Sequence, residues 1–293
     1  MPRPRQRPLA LLLAVATLAA PVLAGERTLL ELRSPYNTIY VSEDAQGHRI
    51  MRFTPDGPRQ SVVKLDDPDH LEAGYTRAVP VAFVFNPRPR SMLVVGLGGG
   101  TIPTFLHRCL PELAIDAVEL DPVVIEVAKS HFGFREDDKL RAYAADGRAY
   151  VERSQSRYDV ILLDAFGTHD VPYALATREF LRSVRRITTA QGVVIGNVWR
   201  RDENPLYDSM VRTYLDVFET VYIVEIEGAL NRLVIALPWT PRLAREEILR
   251  RARALTASLR LRQDLAAILE RGFRAPGADG ATGRVLTDAD APR

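Results

Sequence analysis

Val94-Val95-Gly96-Leu97-Gly98-Gly99-Gly100-Thr101-Ile102-Pro103 is a buried-strand run that breaks into glycines. Gly96, Gly98 and Gly100 remove side chains between the backbone and whatever lies against it, so a ligand can rest on the turn and on the N-terminus of the helix that follows. A turn too tight for side chains would have the same composition, so the run takes its meaning from its surroundings. The strict dinucleotide fingerprint is not met: the position three beyond Gly98 is Thr101, and the position three beyond Gly100 is Pro103.

Outward from this turn, strands and helices alternate. MLVVGL, IDAVEL, KLRAYAA, YDVILLD and GVVIGNVW read as strands. Between them lie helical segments through Phe105, over VVIEVAKSHF, after Asp146, from about Thr177 to Ile187, and around Tyr207 to Val217. VILLD and VVIGNV are apolar on both faces, as in a parallel sheet covered by helices on each side. TVYIVEI and NRLVIALP are separated by only a few residues around Gly228, a link that fits a hairpin and no crossover. The expected fold is therefore α/β, a Rossmann-like doubly wound sheet with a terminal antiparallel hairpin. Before it, TLLELR, NTIYVSED, HRIMRF and SVVKL are strand candidates, separated by turn signals at Ser34-Pro35, Ala45-Gln46-Gly47 and Pro55-Asp56-Gly57-Pro58. They predict a small antiparallel N-terminal β-domain. After the hairpin comes an amphipathic helical stretch, roughly Arg242 to Leu269, and from Ala275 a Gly/Ala/Pro/Asp-rich tail that reads as loose.

The 293 residues, 46% hydrophobic and 26% charged, suffice for one large core and a smaller one. The first 24 residues carry Arg3, Arg5 and Arg7, an apolar run from Leu9 to Ala20, and Val22-Leu23-Ala24. This is the pattern of a secretory signal cleaved after Ala24, with an uncleaved membrane anchor as the alternative, and it predicts an exported, periplasmic or secreted protein. Without those three arginines the 39 basic residues fall to 36 against 37 acidic ones, and the net charge moves from +2 to −1. The basic balance belongs to the leader, and no basic patch with interleaved aromatics points to nucleic acid. The single cysteine, Cys109, excludes an internal disulfide, and the five histidines share no metal-ligand spacing, so no metal site is read from the sequence.

In an open parallel sheet ligands bind at the carboxyl ends of the strands, where strand order reverses. Glu119 closes IDAVEL, nineteen positions beyond Gly100, where a carboxylate can accept both hydroxyls of a ribose. Asp146-Gly147 follows KLRAYAA, where an acidic side chain can meet an adenine amino group. Asp164 ends the apolar YDVILLD, an expensive place for a charge unless it is paired or working. The glycines, Glu119, Asp146 and Asp164 fall on successive strand ends, in the order needed to wrap one adenosine-bearing ligand.

GLGGG, the acidic pair Glu119 and Asp121, Ala145-Asp146-Gly147 and YDVILLD resemble the S-adenosylmethionine-dependent methyltransferase fold in its spermidine synthase (polyamine aminopropyltransferase) branch. Ser34-Pro35-Tyr36-Asn37-Thr38-Ile39 is similar to the S-x-Y-Q-x-I segment of that family's β-domain, and the similarity runs from about Leu30 to about Pro238. The resemblance implies a cosubstrate, decarboxylated S-adenosylmethionine or S-adenosylmethionine, with no permanently bound cofactor. It places Gly96, Gly98, Gly100, Glu119, Asp146, Gly147 and Asn37 on the nucleoside donor, Tyr75 on the substrate, and Asp164 on the attacking amine as its base. It also implies a small-molecule amine acceptor and a homodimer formed through the β-domain. The expected organisation is a leader over 1–24, a β-domain over 25–88, an adenosyl-binding Rossmann-like domain over 89–240, and a C-terminal helix and tail over 241–293.

Several positions depart from the family's pattern. An aspartate of its glycine loop falls on Gly99, the second aspartate of its D-x-x-D-P segment on Gly167, and the two polar residues after its tyrosine on Thr76 and Arg77. Gly99 and Gly167 each delete a carboxylate that would face an ammonium group, for which His169 and Asp170 are the candidate replacements. The reading is a transferase moving an aminopropyl or methyl group to an amine with Asp164 as base. The alternative is a non-catalytic exported protein that keeps the nucleoside-binding fold.

Overall fold

The computed structural model describes residues 25–166 and 171–292, so the leader expected over 1–24, and Gly167, His169 and Asp170, lie outside the described residues. The glycine turn ends β5 (Ser91–Val95), whose residues Met92 to Val95 are all buried. This is an interior strand of an eight-stranded sheet. On one side of it lie β6 (Ala114–Glu119) and β7 (Leu140–Ala144), on the other β8 (Tyr158–Leu163) and β9 (Thr188–Trp199), every neighbouring pair parallel. The chain leaves β5 for β6 and later returns to β8 on the opposite flank. Strand order therefore reverses at β5, the switch point where open sheets take their ligands.

The expected hairpin is present. β10 (Thr220–Glu225) and β11 (Asn231–Leu237) pair antiparallel around Gly228, whose φ is +71°, and β11 inserts between β10 and β9. The four N-terminal strands, β1 (Glu26–Arg33), β2 (Thr38–Asp44), β3 (His48–Arg52) and β4 (Ser61–Lys64), form an antiparallel meander.

Alternation along β5 sends its side chains into two cores. Met92 and Val94 pack in the first, with Ile115, Val160, Ile195 and Ile102, Phe105 and Leu106 of α3 (Thr101–Cys109). Leu93 and Val95 pack in the second, with Val118, Ile161, Leu163 and with Phe180, Leu181, Val184 and Ile187 of the helix over Arg178–Ile187. Between these helices lie α4 (Pro122–His131) and α5 (Gly147–Arg153), and α6 (Arg178–Ile187) starts at Thr177, whose hydroxyl accepts from the Phe180 amide. The meander lays Ile39, Val41, Met51 and Val63 on Val124 and Val127 of α4 and on Phe132. The small sheet is thereby seated over the glycine turn.

The structure differs from the sequence expectation at three places. Residues 74–85, expected in the β-domain, form α1 (Gly74–Ala78) and α2 (Ala82–Phe85), and Ala78 to Phe85 are buried in the core of the large sheet. The C-terminal helical stretch divides after α7 (Tyr207–Val217) and the hairpin into α8 (Arg245–Ser258) and α9 (Leu265–Gly272). The break holds Arg260 at φ +51°, and α9 is started by Asp264 accepting from the Ala266 and Ala267 amides. Finally, the tail is packed. Phe273–Arg274 adds a short strand, β12, beside β10. Leu286 is fully buried in the second core, its amide donating to Thr213 Oγ1 at 2.9 Å and its carbonyl accepting from the Arg178 amide at 2.8 Å. Asp288 is held by Arg148 of α5 at 2.7 Å. Composition read the tail as loose because one apolar anchor among small and acidic residues leaves no periodicity. Among the described residues no helix is long and apolar enough to cross a membrane.

Leu286→Ala is expected to destabilise the protein by about 2–5 kcal/mol, the cost of a cavity in a packed core. Urea unfolding of the variant checks this, and a change below about 0.5 kcal/mol, usual for a surface position, would show that the tail contributes nothing.

Candidate active site

The turn after β5 is bare for reasons of both conformation and space. Gly96, Gly98 and Gly100 have φ of +99°, +54° and +71°, in the region that side chains disfavour. A Cβ on Gly96 would stand 2.4 Å from the Asp164 carbonyl oxygen, and one on Gly100 would stand 2.6 Å from the Phe134 ring. Gly96 and Gly98 line a cleft of about 790 Å³, within the range of small-ligand sites. Gly100, also expected at the donor, is buried away from the cleft and begins α3 instead.

Glu119, at the end of β6, reaches back to this turn. Its Oε2 accepts from the Leu97 amide at 3.0 Å and the Gly98 amide at 3.3 Å, and its Oε1 accepts from the Asp121 amide at 3.1 Å. Burial pushes its carboxyl above the usual range, against the opposing pull of these amides. The side chain is thus fixed at the cleft wall with Oε2 taken up by two amides and an acceptor site still open on Oε1. Asp121 begins α4 and accepts from Ser34 Oγ, which joins the meander to the strand end carrying Glu119. Asn37 follows Ser34 by three residues and lines the cleft.

Asp146 and Gly147 also line the cleft. Asp146 starts α5, with Oδ1 accepting from the Ala149 amide at 2.8 Å, so a structural role accompanies its place at the cleft. A Cβ on Gly147 would meet Val95 Cγ1 at 2.6 Å, which packs the start of α5 directly on β5.

Asp164 follows β8 and opens onto the same cleft. Its Oδ1 accepts from Asn197 Nδ2 at 2.7 Å, and its Oδ2 accepts from the Tyr75 hydroxyl at 3.2 Å. Asn197 is oriented in turn by Asn231, whose Nδ2 donates to Asn197 Oδ1 at 2.9 Å. Burial raises the Asp164 carboxyl to about 7 despite the two donated bonds, each of which favours the charged form. Burial and the adjacent Asp164 hold the Tyr75 phenol well above its ordinary value, so it stays a donor. The group is therefore a carboxylate poised to exchange a proton near neutrality.

Asn197 and Asn231 are not among the residues that the sequence singles out. Asn197 is 2% exposed, and a buried amide inside the apolar GVVIGNVW was the available signal. Nothing in the sequence pointed to Asn231. The aromatic residues Tyr173 and Trp199 do not line the cleft. Tyr173 donates to the Thr287 carbonyl at 3.2 Å, and Trp199 stacks on Phe166 at 5.9 Å. At Gly99 a Cβ would meet Phe132 at 2.7 Å and Ser61 Cβ at 3.0 Å, and its amide donates to Ser61 Oγ at 2.7 Å. Phe132, just after α4, and Ser61 of the meander fill the place where the family's aspartate would stand.

Residues 73–225 match the spermine/spermidine synthase domain. A polyamine aminopropyltransferase of Vibrio vulnificus is 35% identical over 239 residues, which cover 78% of this chain and 79% of that protein. The human eEF1A lysine and N-terminal methyltransferase is 35% identical over 226 residues, 70% of this chain, and the chain spans about a third of its length, 32%. Among solved structures, human methyltransferase-like protein 13 in complex with SAH is 35% identical with a TM-score of 0.55, over 65% of this chain and 90% of that one. A probable spermidine synthase from Corynebacterium glutamicum shares the fold, with a TM-score of 0.68 at 19% identity over 94% of this chain and all of that one, 100%. The chain belongs to the spermine/spermidine synthase family, on the methyltransferase fold that its strand order and glycine turn already describe.

Proposed function

We propose that this cleft binds an adenosyl sulfonium donor and transfers an alkyl group from it to an amine, with Asp164 as the base. The relatives' names, a polyamine aminopropyltransferase and a lysine and N-terminal methyltransferase, describe aminopropyl and methyl transfer, and both use amine acceptors. The human structural relative holds SAH. The observation that carries the reading is Asp164, held by Tyr75 and Asn197 at the end of β8 and raised to about 7, next to the bare turn at Gly96. The amine nitrogen attacks the carbon attached to the sulfonium sulfur. The C–S bond breaks with its electron pair going to sulfur, and the proton of the new ammonium, or of the arriving acceptor, passes to the Asp164 carboxylate. Glu119 holds the ribose hydroxyls, Asp146 faces the base, and Gly96 and Gly98 let the donor lie against the backbone.

Within this reading, the packing at Gly99 favours methyl transfer. An aminopropyl donor ends in an ammonium, and Phe132 and Ser61 leave no room at Gly99 for a carboxylate to meet it. The missing charge-assisted bond is worth about 1.5–3 kcal/mol. S-adenosylmethionine carries its own carboxylate beside its ammonium and depends less on such a partner. With an amine acceptor, S-adenosylmethionine is expected to be consumed faster than its decarboxylated form, with product masses separating the two transfers. Faster aminopropyl transfer would overturn this preference.

Asp164→Asn is expected to lower turnover by about 10²–10⁴-fold while leaving donor affinity nearly unchanged, as measured by initial rates and calorimetry. Because the base must be deprotonated to act, turnover is expected to fall as pH drops through about 7. Asn197→Ala removes a bond that favours the carboxylate, so its midpoint should move upward. A midpoint that stays put or moves down would remove Asn197 from this role. Glu119→Ala should weaken adenosyl binding by about tenfold or more, the loss of at least one charged hydrogen bond, and an unchanged dissociation constant would remove the ribose assignment.

A further inference from the structure

His48 opens β3, whereas His70 and Glu72 lie on the connection from β4 to α1. Their spacing along the chain predicted no metal site, but folding brings them together. One ligating atom from each stands within 4.8 Å of the other two, and the two imidazoles face each other with ring centroids 5.2 Å apart. We propose that His48, His70 and Glu72 form a binding site for a divalent transition metal of the zinc class, made of residues assigned no role toward the donor.

Three features support this beyond proximity. First, the donor set is two imidazoles and one carboxylate, which suits zinc and leaves a fourth position for water. Second, His48 is oriented from behind. Its Nδ1 lies 2.9 Å from Asp44 Oδ2, while Asp44 Oδ1 accepts from the amides of Gln46 and His48, each at 2.9 Å. A carboxylate on one ring nitrogen fixes the tautomer and leaves Nε2 as the ligating atom, the arrangement that metal-binding histidines use. Third, His70 Nε2 already meets Glu72 Oε2 at 2.9 Å. A metal can take the place of the hydrogen between them when the neutral His70 ring carries its one proton on Nδ1. Arg59 stands 3.9 Å from the other oxygen, Oε1, and leaves Oε2 free for the ion. Zinc–nitrogen distances of about 2.0–2.1 Å require the ligands to draw in by roughly 1 Å. Side-chain exposures of 16% for His48, 28% for His70 and 38% for Glu72 leave room for that motion and for entry from solvent.

Glu72 also lines the cleft, and three residues later Tyr75 donates to Asp164. An ion here would tie the segment carrying Tyr75 to the start of β3 in the meander.

The test is to strip the purified chain with a chelator, load it with zinc chloride, desalt it and measure retained metal, with calorimetric titration and melting curves alongside. The expected result is one retained equivalent and a melting temperature that rises with zinc. His48→Ala and His70→Ala should each lose retention and the thermal shift while melting, without metal, as the unmodified chain does. Asp44→Asn should keep the site but weaken it by about 10–100-fold. Because His70 lies on a connection, its variant keeps the test valid if His48→Ala folds poorly. Absence of retained zinc, or equal retention in the His70→Ala variant, would overturn the proposal.

Discussion

The close approach of Gly96 to the backbone of Asp164 is the contact on which the cleft depends. β5 and β8 remain paired to their last residues, the Asp164 amide donating to the Val95 carbonyl at 2.8 Å. One residue further, the two chains pass so closely that any Cβ on Gly96 would collide with the Asp164 carbonyl. Glycine at this position lets both strands run to the switch point before they part, and it sets a carboxylate directly beside a bare turn. The amides of Leu97 and Gly98, which the turn exposes, are then taken up by Glu119 from the next strand. Three strand ends are locked to one another by backbone geometry before any ligand arrives, which is the preorganisation an active site requires.

Burial acts on Glu119 and Asp164 in the same direction but with different partners. Glu119 receives three backbone amides, donors that cannot move away, whereas Asp164 receives one amide side chain and one phenol. The first arrangement suits a fixed acceptor and the second suits a group that gains and loses a proton. The Asn231, Asn197, Asp164 and Tyr75 chain spans the hairpin, β9, β8 and α1. The hairpin, which closes the sheet, also orients the base.

The sheet was legible in the sequence because its strands are buried on both faces and read as unbroken apolar runs, and the short link at Gly228 admitted only a hairpin. Asp164 and Glu119 stood out as charges at the ends of such runs. Asn197 was hidden because one amide in an apolar strand says nothing about its partners, which come from segments 33 and 34 residues away. Gly100 was misplaced for a different reason. Glycine composition cannot separate a residue facing a ligand from one facing a phenylalanine ring. The helical pattern between Arg242 and Leu269 concealed a break because Arg260 takes its left-handed conformation without a glycine to announce it. His48 and His70 lie on different elements, and their pairing exists only once the meander has turned back on itself.

Arg148 stands in the cleft wall and is held by Asp288, a partner 140 residues further along the chain. Closing a loop of that length has an entropic cost that nearby contacts do not share, and contacts of large sequence separation slow folding. The parallel strands and their helices can assemble from nearer neighbours, while this part of the wall waits for the distant tail to dock through Leu286. A folding intermediate with its sheet already formed would therefore still lack a finished cleft, and competence to bind would lag behind the appearance of secondary structure.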